Sequence, residues 1–167
     1  DGVTPASAAT IGSLHEEVIR LVRLVEALHE LSRFDARLPR LRLEAVDLGT
    51  LVRRLADLRR GEFAAQGIAV ESQVTVNGVA RADPALLSQA LPNLIDNALK
   101  YTPRGGPVLV DVAPDGAAVR VAVTNTGEGI APDDLPFIFE RFYRGEKSRS
   151  RESGGAGIGL SIVKEVA

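Results

Sequence analysis

The sequence predicts an α+β fold: a two-layer α/β sandwich whose mixed, mostly antiparallel sheet is covered by helices on one face, with a bundle helix at the N-terminus. Three observations lead to this prediction. The N-terminal segment has a heptad pattern of apolar residues, which indicates a bundle helix. Later segments alternate apolar and polar residues, which indicates strands. These strands and the helices between them do not follow a regular strand–helix–strand order. The chain of 167 residues is long enough for one packed domain and an appendage.

The composition excludes several classes of function. The net charge is −2, so the surface as a whole does not attract nucleic acid or an anionic membrane. Because the chain has no cysteine and only two histidines, disulfides and thiolate metal sites are excluded, and a multi-histidine zinc site nearly so. No apolar run approaches the roughly 20 residues that a membrane helix needs. We therefore expect no contact with nucleic acid or membrane from this chain.

The first element is a helix with a heptad seam. Its apolar residues are Ile11, Leu14, Val18, Leu21, Val25 and Leu28. Ile19, Val22, Leu24 and Leu31 widen this face, which is typical of a helix in a four-helix bundle. The helix cannot bury such a face alone. It packs either on its own domain or, as we favour, on a second copy of the chain in a homodimer.

The next segment contains a connection, a helix and a strand. Residues 35–46 are predicted to be a linker or a short strand. Asp47 is a suitable N-cap for a helix that runs to about residue 66, and Gly67 ends that helix. Alternating apolar residues over 68–76 then predict a strand.

A second helix begins at Asp83 and Pro84, an N-cap followed by proline at the first position. It runs to about Tyr101, and Pro92 inside it removes one hydrogen bond and predicts a kink.

Strands are expected over 107–113 and 119–124, joined by a hairpin turn at Asp115-Gly116. A Gly-rich loop, an aromatic segment, a polar loop and a final helix complete the chain.

The second helix carries a polar face. Asn93, Asn97 and Lys100 lie at i, i+4 and i+7, so they share one side of the helix. Carboxamide oxygens suit Mg²⁺, and a lysine is a point charge suited to phosphate. An ordinary solvated polar face is the alternative interpretation.

Three further clusters follow, each weak alone. The segment Asn125-Thr-Gly127-Glu-Gly129-Ile130 lets backbone approach a ligand, although any turn could produce it. Residues 137–144 hold four aromatics, which a small satellite core would also explain. Residues 154–160 place glycines at a helix start, where free N–H groups favour phosphate. The last cluster is not a Walker A loop, because no Gly-Lys-Ser/Thr follows.

In this order and spacing, the four clusters resemble the N, G1, F and G2 boxes of the ATP-binding domain of sensor histidine kinases. The resemblance covers residues 47–167. That family belongs to a superfamily with gyrase, Hsp90-type chaperones and mismatch-repair ATPases. The resemblance implies ATP and Mg²⁺ as ligands and, for the parent protein, a cognate response regulator as partner.

The resemblance also implies roles for individual residues. Asn93 would ligate Mg²⁺ with Asn97 close to the same ion, Lys100 would contact phosphate, and Tyr101 would lie over the nucleotide. Asn93, Lys100 and Arg144 would be the catalytic residues. The remaining residues expected to contact ATP are Asn125, Gly127, Gly129, Ile130, Phe139, Phe142, Gly155, Gly157, Ile158, Gly159 and Leu160.

Two features of this domain carry specific expectations. Where the family usually has an aspartate that accepts a hydrogen bond from the adenine amino group, this chain has Asn125. Its amide oxygen can still accept that bond, but the bond is weaker because the acceptor is neutral. Residues 145–156 match the ATP lid, and we expect them to be poorly ordered without nucleotide.

No phosphoacceptor histidine is evident. His15 and His29 are each followed by glutamate, but neither continues into the Thr/Asn-Pro motif of the family, and we expect both to be solvated or packing residues. The sequence is therefore expected to begin near the turn of the bundle hairpin, with residues 1–34 forming its second helix. The last strands of the domain are expected after Ala167, and the parent is expected to be a membrane-anchored sensor with this part in the cytoplasm.

Two other functions stay open, an ATP hydrolase or clamp of the same superfamily and a degenerate nucleotide-binding scaffold. The related hydrolases usually carry glutamate at the position of Asn93, where it activates water as a general base. An amide cannot act as a base, so Asn93 favours the kinase. The degenerate scaffold is favoured to a smaller extent by Asn125, because this residue replaces the family's usual aspartate.

Overall fold

The computed structural model describes residues 8–35, 41–75, 78–145 and 156–167. The first element, α1, spans Ala8–Asp35. Each of its six seam residues is between 53 and 66% exposed, so no described part of the chain covers the apolar face. Within the described ranges, no helix has the length and apolarity needed to cross a membrane.

The remaining elements form the body of the domain. Within the described residues they are, in chain order, β1 (Glu44–Asp47), α2 (Leu48–Ala65), β2 (Ala69–Val74), β3 (Val79–Ala82), α3 (Pro84–Tyr101), β4 (Pro107–Asp115), β5 (Ala118–Asn125) and α4 (Gly159–Val166), with a 3₁₀ turn at Leu135–Phe137. The core lies between the sheet and helices α2 and α3, which confirms the predicted α+β sandwich.

The strands form two sheets. In the larger sheet β4 is central, parallel to β2 and antiparallel to β5. Val108, Val110 and Val112 of β4 are at most 1% exposed, because alternate side chains of this strand face the helices. The hairpin between β4 and β5 turns at Gly116, with φ of 59°, as the sequence predicts.

The smaller sheet pairs β1 with β3 in antiparallel register, Glu44 opposite Ala82. The sequence did not predict β3, and residues 44–46 of β1 lie inside the segment expected to be a linker or a short strand. The pairing shows that a short strand is present there and that it belongs to the body of the domain. Both strands have four residues, and their pairing joins segments far apart in sequence, so no local pattern reveals it.

Local chemistry explains the ends of α2. The Asp47 carboxylate accepts a hydrogen bond from Thr50 N at 3.0 Å, which caps the helix start. At the other end Gly67 has φ of 69° and donates to Ala64 O, while Ile68 N donates to Phe63 O, each at 2.9 Å. This is a Schellman motif, and its apolar contact is buried, since Phe63 and Ile68 both belong to the core.

Helix α3 starts where predicted, with Asp83 as N-cap and Pro84 in the first turn. It continues through Pro92 as one helix to Tyr101. The kink expected at Pro92 remains a prediction. Leu91, Ile95, Ala98 and Leu99 face the core at 9% exposure or less, which turns Asn93, Asn97 and Lys100 toward the other side.

Candidate nucleotide-binding site

The polar face of α3 is the base of the site. Asn93, Asn97 and Lys100 are half-buried, so neighbouring groups partly enclose them and they are not a fully solvated face. The ammonium of Lys100 lies 4.9 Å from the centroid of the Tyr101 ring, within the range of a cation–π contact. A positive charge and an aromatic ring thus lie together at the C-terminal end of the helix.

The amide of Asn93 has a defined orientation. Its Nδ2 donates to the carbonyl oxygen of Gln89 at 2.8 Å, which leaves Oδ1 as the free acceptor. Gly159, the first residue of α4, packs directly on this amide: a Cβ at position 159 would lie 2.6 Å from Asn93 Oδ1 and 3.1 Å from its Cγ. A side chain at position 159 would displace this amide, so the Gly-rich helix start and the asparagine helix form one surface.

The first glycine loop meets the same helix at its other end. A Cβ on Gly127 would lie 2.7 Å from the carbonyl oxygen of Tyr101, so this loop also requires glycine for close approach. Asn125 Nδ2 donates to Thr126 O at 3.2 Å, which leaves its Oδ1 free to accept. The exposed Asn125 therefore presents an acceptor oxygen beside the end of α3.

The two glycine segments contact α3 at Asn93 and Tyr101, eight residues apart. At 1.5 Å per residue this separation is about 12 Å along the helix axis. An extended ligand lying along the helix can reach both segments. At one end it meets amide and helix-start groups, and at the other it meets an aromatic ring and the acceptor of Asn125.

The aromatic segment borders the second glycine cluster. Phe142 N donates to Gly157 O at 2.9 Å, and a Cβ on Gly157 would lie 2.7 Å from the carbonyl oxygen of Tyr143. The Tyr143 hydroxyl donates to Asp134 Oδ1 at 2.6 Å, and its ring lies 5.6 Å from that of Phe137. These contacts fix the aromatic segment next to the start of α4.

The satellite-core interpretation of the aromatic segment does not hold. Phe137, Phe139 and Phe142 are 50, 39 and 47% exposed, and Ile130 is 50% exposed. Phe142 also has φ of 66°, an uncommon conformation for a residue with a side chain, which is typical of functional segments. These side chains form an open apolar surface beside the site.

Four more of the residues predicted to contact ATP lie within the described part of the chain. Arg144 and Leu160 are half-buried, and Gly129 has φ of 72° with open space around its α-carbon. Ile158 is 5% exposed and lies in a small core with Leu86 and Ile162. Gly155 and the lid residues 146–155 lie outside the described residues, and so does the expectation about their order.

The Asp96 carboxylate of α3 is held in an ion pair away from the candidate site. Asp96 pairs with Arg59 of α2 at 3.1 Å, and Arg59 also pairs with Glu62 at 2.7 Å. Burial raises the pKa of Asp96, while the Arg59 charge acts in the opposite direction. The Asp96 carboxylate is thus engaged on the α2 side of the helix.

The donor set at Asn93 fits a hard cation bound together with phosphate. The described residues hold no group of three or more histidine, aspartate or glutamate side chains that could form a metal site alone. Two carboxamides one turn apart supply neutral oxygens, the type of ligand that Mg²⁺ combines with phosphate and water. These residues suit a metal that arrives with a nucleotide.

Sequence reasoning missed three residues that shape the site. Gln89 orients Asn93, Thr126 orients Asn125, and Asp134 holds Tyr143. The first two act through backbone carbonyls, which leave no trace in residue type. Only Asp134 had a visible signal, as an acidic residue next to the aromatic segment.

The described residues thus form an α/β sandwich in which two glycine segments flank a polar helix face. Residues 82–167 match the family described as histidine kinase-, DNA gyrase B- and HSP90-like ATPases. The chain belongs to this family.

Named relatives are sensor kinases. The chain is 42% identical over 153 residues to the sensor-like histidine kinase SenX3 of Mycobacterium tuberculosis, covering 90% of this chain and 37% of SenX3. It is 35% identical over 166 residues to the signal transduction histidine-protein kinase BaeS of Escherichia coli, covering 99% of this chain and 36% of BaeS.

A solved structure agrees with these relationships. Full-length ShkA in complex with AMPPNP is 32% identical and superposes with a TM-score of 0.71, covering 99% of this chain and 34% of ShkA. The chain thus spans little more than a third of these longer proteins.

Proposed function

We propose that this chain is the ATP-binding catalytic module of a sensor histidine kinase. It binds Mg-ATP and supplies the γ-phosphoryl group to a phosphoacceptor histidine outside the chain, from which the group passes to a response regulator. The packing of Gly159 on Asn93 is the observation that carries the proposal, because it joins the helix start that suits phosphate to the amide that suits Mg²⁺.

The nucleotide would lie along α3. Its adenine would face Asn125, whose free Oδ1 accepts from the amino group, and Tyr101 would cover the base. Its phosphates would meet Lys100, Arg144 and the N–H groups at the start of α4. The exposed Phe139 and Phe142 border this space. The related protein ShkA, whose solved structure is a complex with AMPPNP, supports a nucleotide as the ligand.

Asn93 and Asn97 would hold Mg²⁺, with Asn93 Oδ1 as the principal ligand. When bound, the ion neutralises charge on the phosphates. The chain's own contribution is positional. Gln89 keeps the Asn93 oxygen turned outward. The Lys100 and Arg144 cations would supply positive charge to the phosphates, on which negative charge develops during transfer.

The chemistry of α3 favours transfer over hydrolysis. A hydrolase needs a base to activate water, and position 93 holds an amide. The nearby carboxylate on α3, Asp96, is paired with Arg59, and Glu62 lies beside that pair. A kinase needs no such base near the phosphate, because its catalysis rests on positioning and charge stabilisation.

The partners follow from the same assignment. The exposed seam of α1 is suited to a homodimer through a helical bundle, in which the acceptor histidine would lie. A response regulator would receive the phosphoryl group, and the parent would be a membrane-anchored sensor with this module in the cytoplasm. We propose no nucleic-acid or membrane contact for this chain.

The test is Mg-ATP titration calorimetry followed by phosphoryl transfer. We expect the chain to bind Mg-ATP, to remain unlabelled with γ-labelled ATP alone, and to label a separately supplied histidine-bearing bundle domain. Ser88→Ala is a matched control for substitutions of the polar face, because Ser88 is exposed on the same helix and its hydroxyl donates to Pro84 O within its own turn. Stable phosphohistidine on this chain itself, or no Mg-ATP binding, would contradict the proposal.

A further inference from the structure

Asp83 joins two parts of the domain. Its Oδ1 caps α3 by accepting from Ala85 N at 2.9 Å and Leu86 N at 3.3 Å. Its Oδ2 accepts from Arg42 N at 2.9 Å, 41 residues away in the sequence. Residues 41–43, which we call the entry segment and which directly precede β1, are therefore fastened to the first turn of α3.

The second N-cap aspartate of the domain lacks such a bridge. Asp47 accepts from Thr50 N at 3.0 Å and Thr50 Oγ1 at 2.7 Å, both within its own helix start. Hydrogen bonds lower the pKa of both carboxyls, with Arg42 N as the largest cause for Asp83 and Thr50 N for Asp47. Asp47 and Asp83 thus each cap a helix and each have a lowered pKa. They differ because Asp83 also accepts a hydrogen bond from Arg42 N, outside its own helix.

A continuous path leads from Asp83 to the nucleotide site. Leu86, whose N–H bonds to Asp83, is 3% exposed and packs in a small core with Ile158 and Ile162. Ile158 directly precedes Gly159, which packs on the Asn93 amide. The path thus consists of the hydrogen bond from Leu86 N to Asp83, the buried contact of Leu86 with Ile158, and the close approach of Gly159 to the Asn93 amide.

We infer that Asp83 is a positioning residue that couples the entry segment to the nucleotide site. This inference rests on the proposed function. The entry segment lies between α1 and β1 in the chain, and β1 pairs with β3 directly before Asp83. A change in the path of the entry segment therefore shifts the first turn of α3 and, through Leu86 and α4, the Gly159–Asn93 surface. Asp83 acts through these contacts and touches no ligand itself.

The test compares Asp83→Asn with Asp47→Asn in this chain. Asparagine caps helices as well as aspartate does, but at position 83 its Nδ2 would face the Arg42 N–H, a donor against a donor. At position 47 the Thr50 hydroxyl can rotate to accept from Nδ2. We expect Asp83→Asn to speed hydrogen exchange of the Arg42 amide about tenfold and to weaken Mg-ATP binding about threefold, and Asp47→Asn to change neither.

A double-mutant cycle separates coupling from general damage. Arg42→Pro removes the same N–H, so its effect on the Mg-ATP Kd should not add to that of Asp83→Asn. Additive effects, unchanged Arg42 exchange in Asp83→Asn, or equal Kd shifts in Asp83→Asn and Asp47→Asn would overturn the inference. Failure of the unmodified chain to bind Mg-ATP would overturn the proposed function and the coupling with it, while the exchange at Arg42 would still report the Asp83 contact.

Discussion

Substitution of Gly159 by alanine tests the construction of the site. The added Cβ would lie 2.6 Å from Asn93 Oδ1, 3.1 Å from Cγ and 3.4 Å from Cβ of the same residue. The first distance is far below van der Waals contact, so the Asn93 amide must rotate away. Its hydrogen bond to Gln89 O is then lost, and its oxygen no longer faces the start of α4.

The expected energies separate stability from binding. Loss of one hydrogen bond costs about 0.5–1.5 kcal/mol, while alanine is better than glycine in a helix by up to about 1 kcal/mol. Because the gain is small at the first helical position, the free energy of unfolding should fall by at most about 1.5 kcal/mol. Mg-ATP affinity should fall at least about tenfold, or about 1.4 kcal/mol, because the metal ligand is displaced.

The assay is calorimetric titration with ATP at several Mg²⁺ concentrations, together with urea unfolding. Gly61→Ala is the matched control, because Gly61 lies inside α2 and an added Cβ there would meet nothing within 4 Å. It should stabilise the chain by about 0.4–1 kcal/mol without a change in affinity. If Gly159→Ala binds Mg-ATP as tightly as Gly61→Ala does, the Gly159–Asn93 surface is not the metal and phosphate site.

The remaining predictions concern two site residues and the N-caps. Asn93→Ala should abolish phosphoryl transfer to a supplied bundle domain while some nucleotide binding remains, because adenine contacts survive; the two assays are run side by side. Asn125→Ala should weaken ATP binding by about 1–2 kcal/mol and erode discrimination against GTP, whereas Asn125→Asp should bind ATP at least as tightly as the parent. Unaltered ATP affinity in Asn125→Ala would show that this loop does not bind the base. Since hydrogen bonds lower the folded-state pKa of Asp47 and Asp83, their stabilisation is present above the ordinary pKa of about 4 and is lost as the pH falls through the lowered values. The double Asn variant should lose less stability than the parent between pH 5 and about 2, as urea midpoints would show.

The sequence alone determined the elements whose cause is local. The caps Asp47 and Asp83, the glycine that ends α2 and the hairpin at Asp115-Gly116 were all predicted, because each depends on residues within a few positions. The polar face of α3 followed from helical periodicity. The order of the four clusters indicated the family, because that order is a property of the chain and needs no packing to be visible.

Tertiary structure decided what joins those elements. The pairing of β1 with β3, the approach of Gly159 to Asn93 and the bridge from Asp83 to Arg42 each connect residues that lie far apart in the sequence. Such contacts depend on how helices and strands pack, and the residue types involved have many other uses. The sequence predicted the residues of the candidate site, and only the packing around α3 showed which of their polar atoms are already engaged in hydrogen bonds.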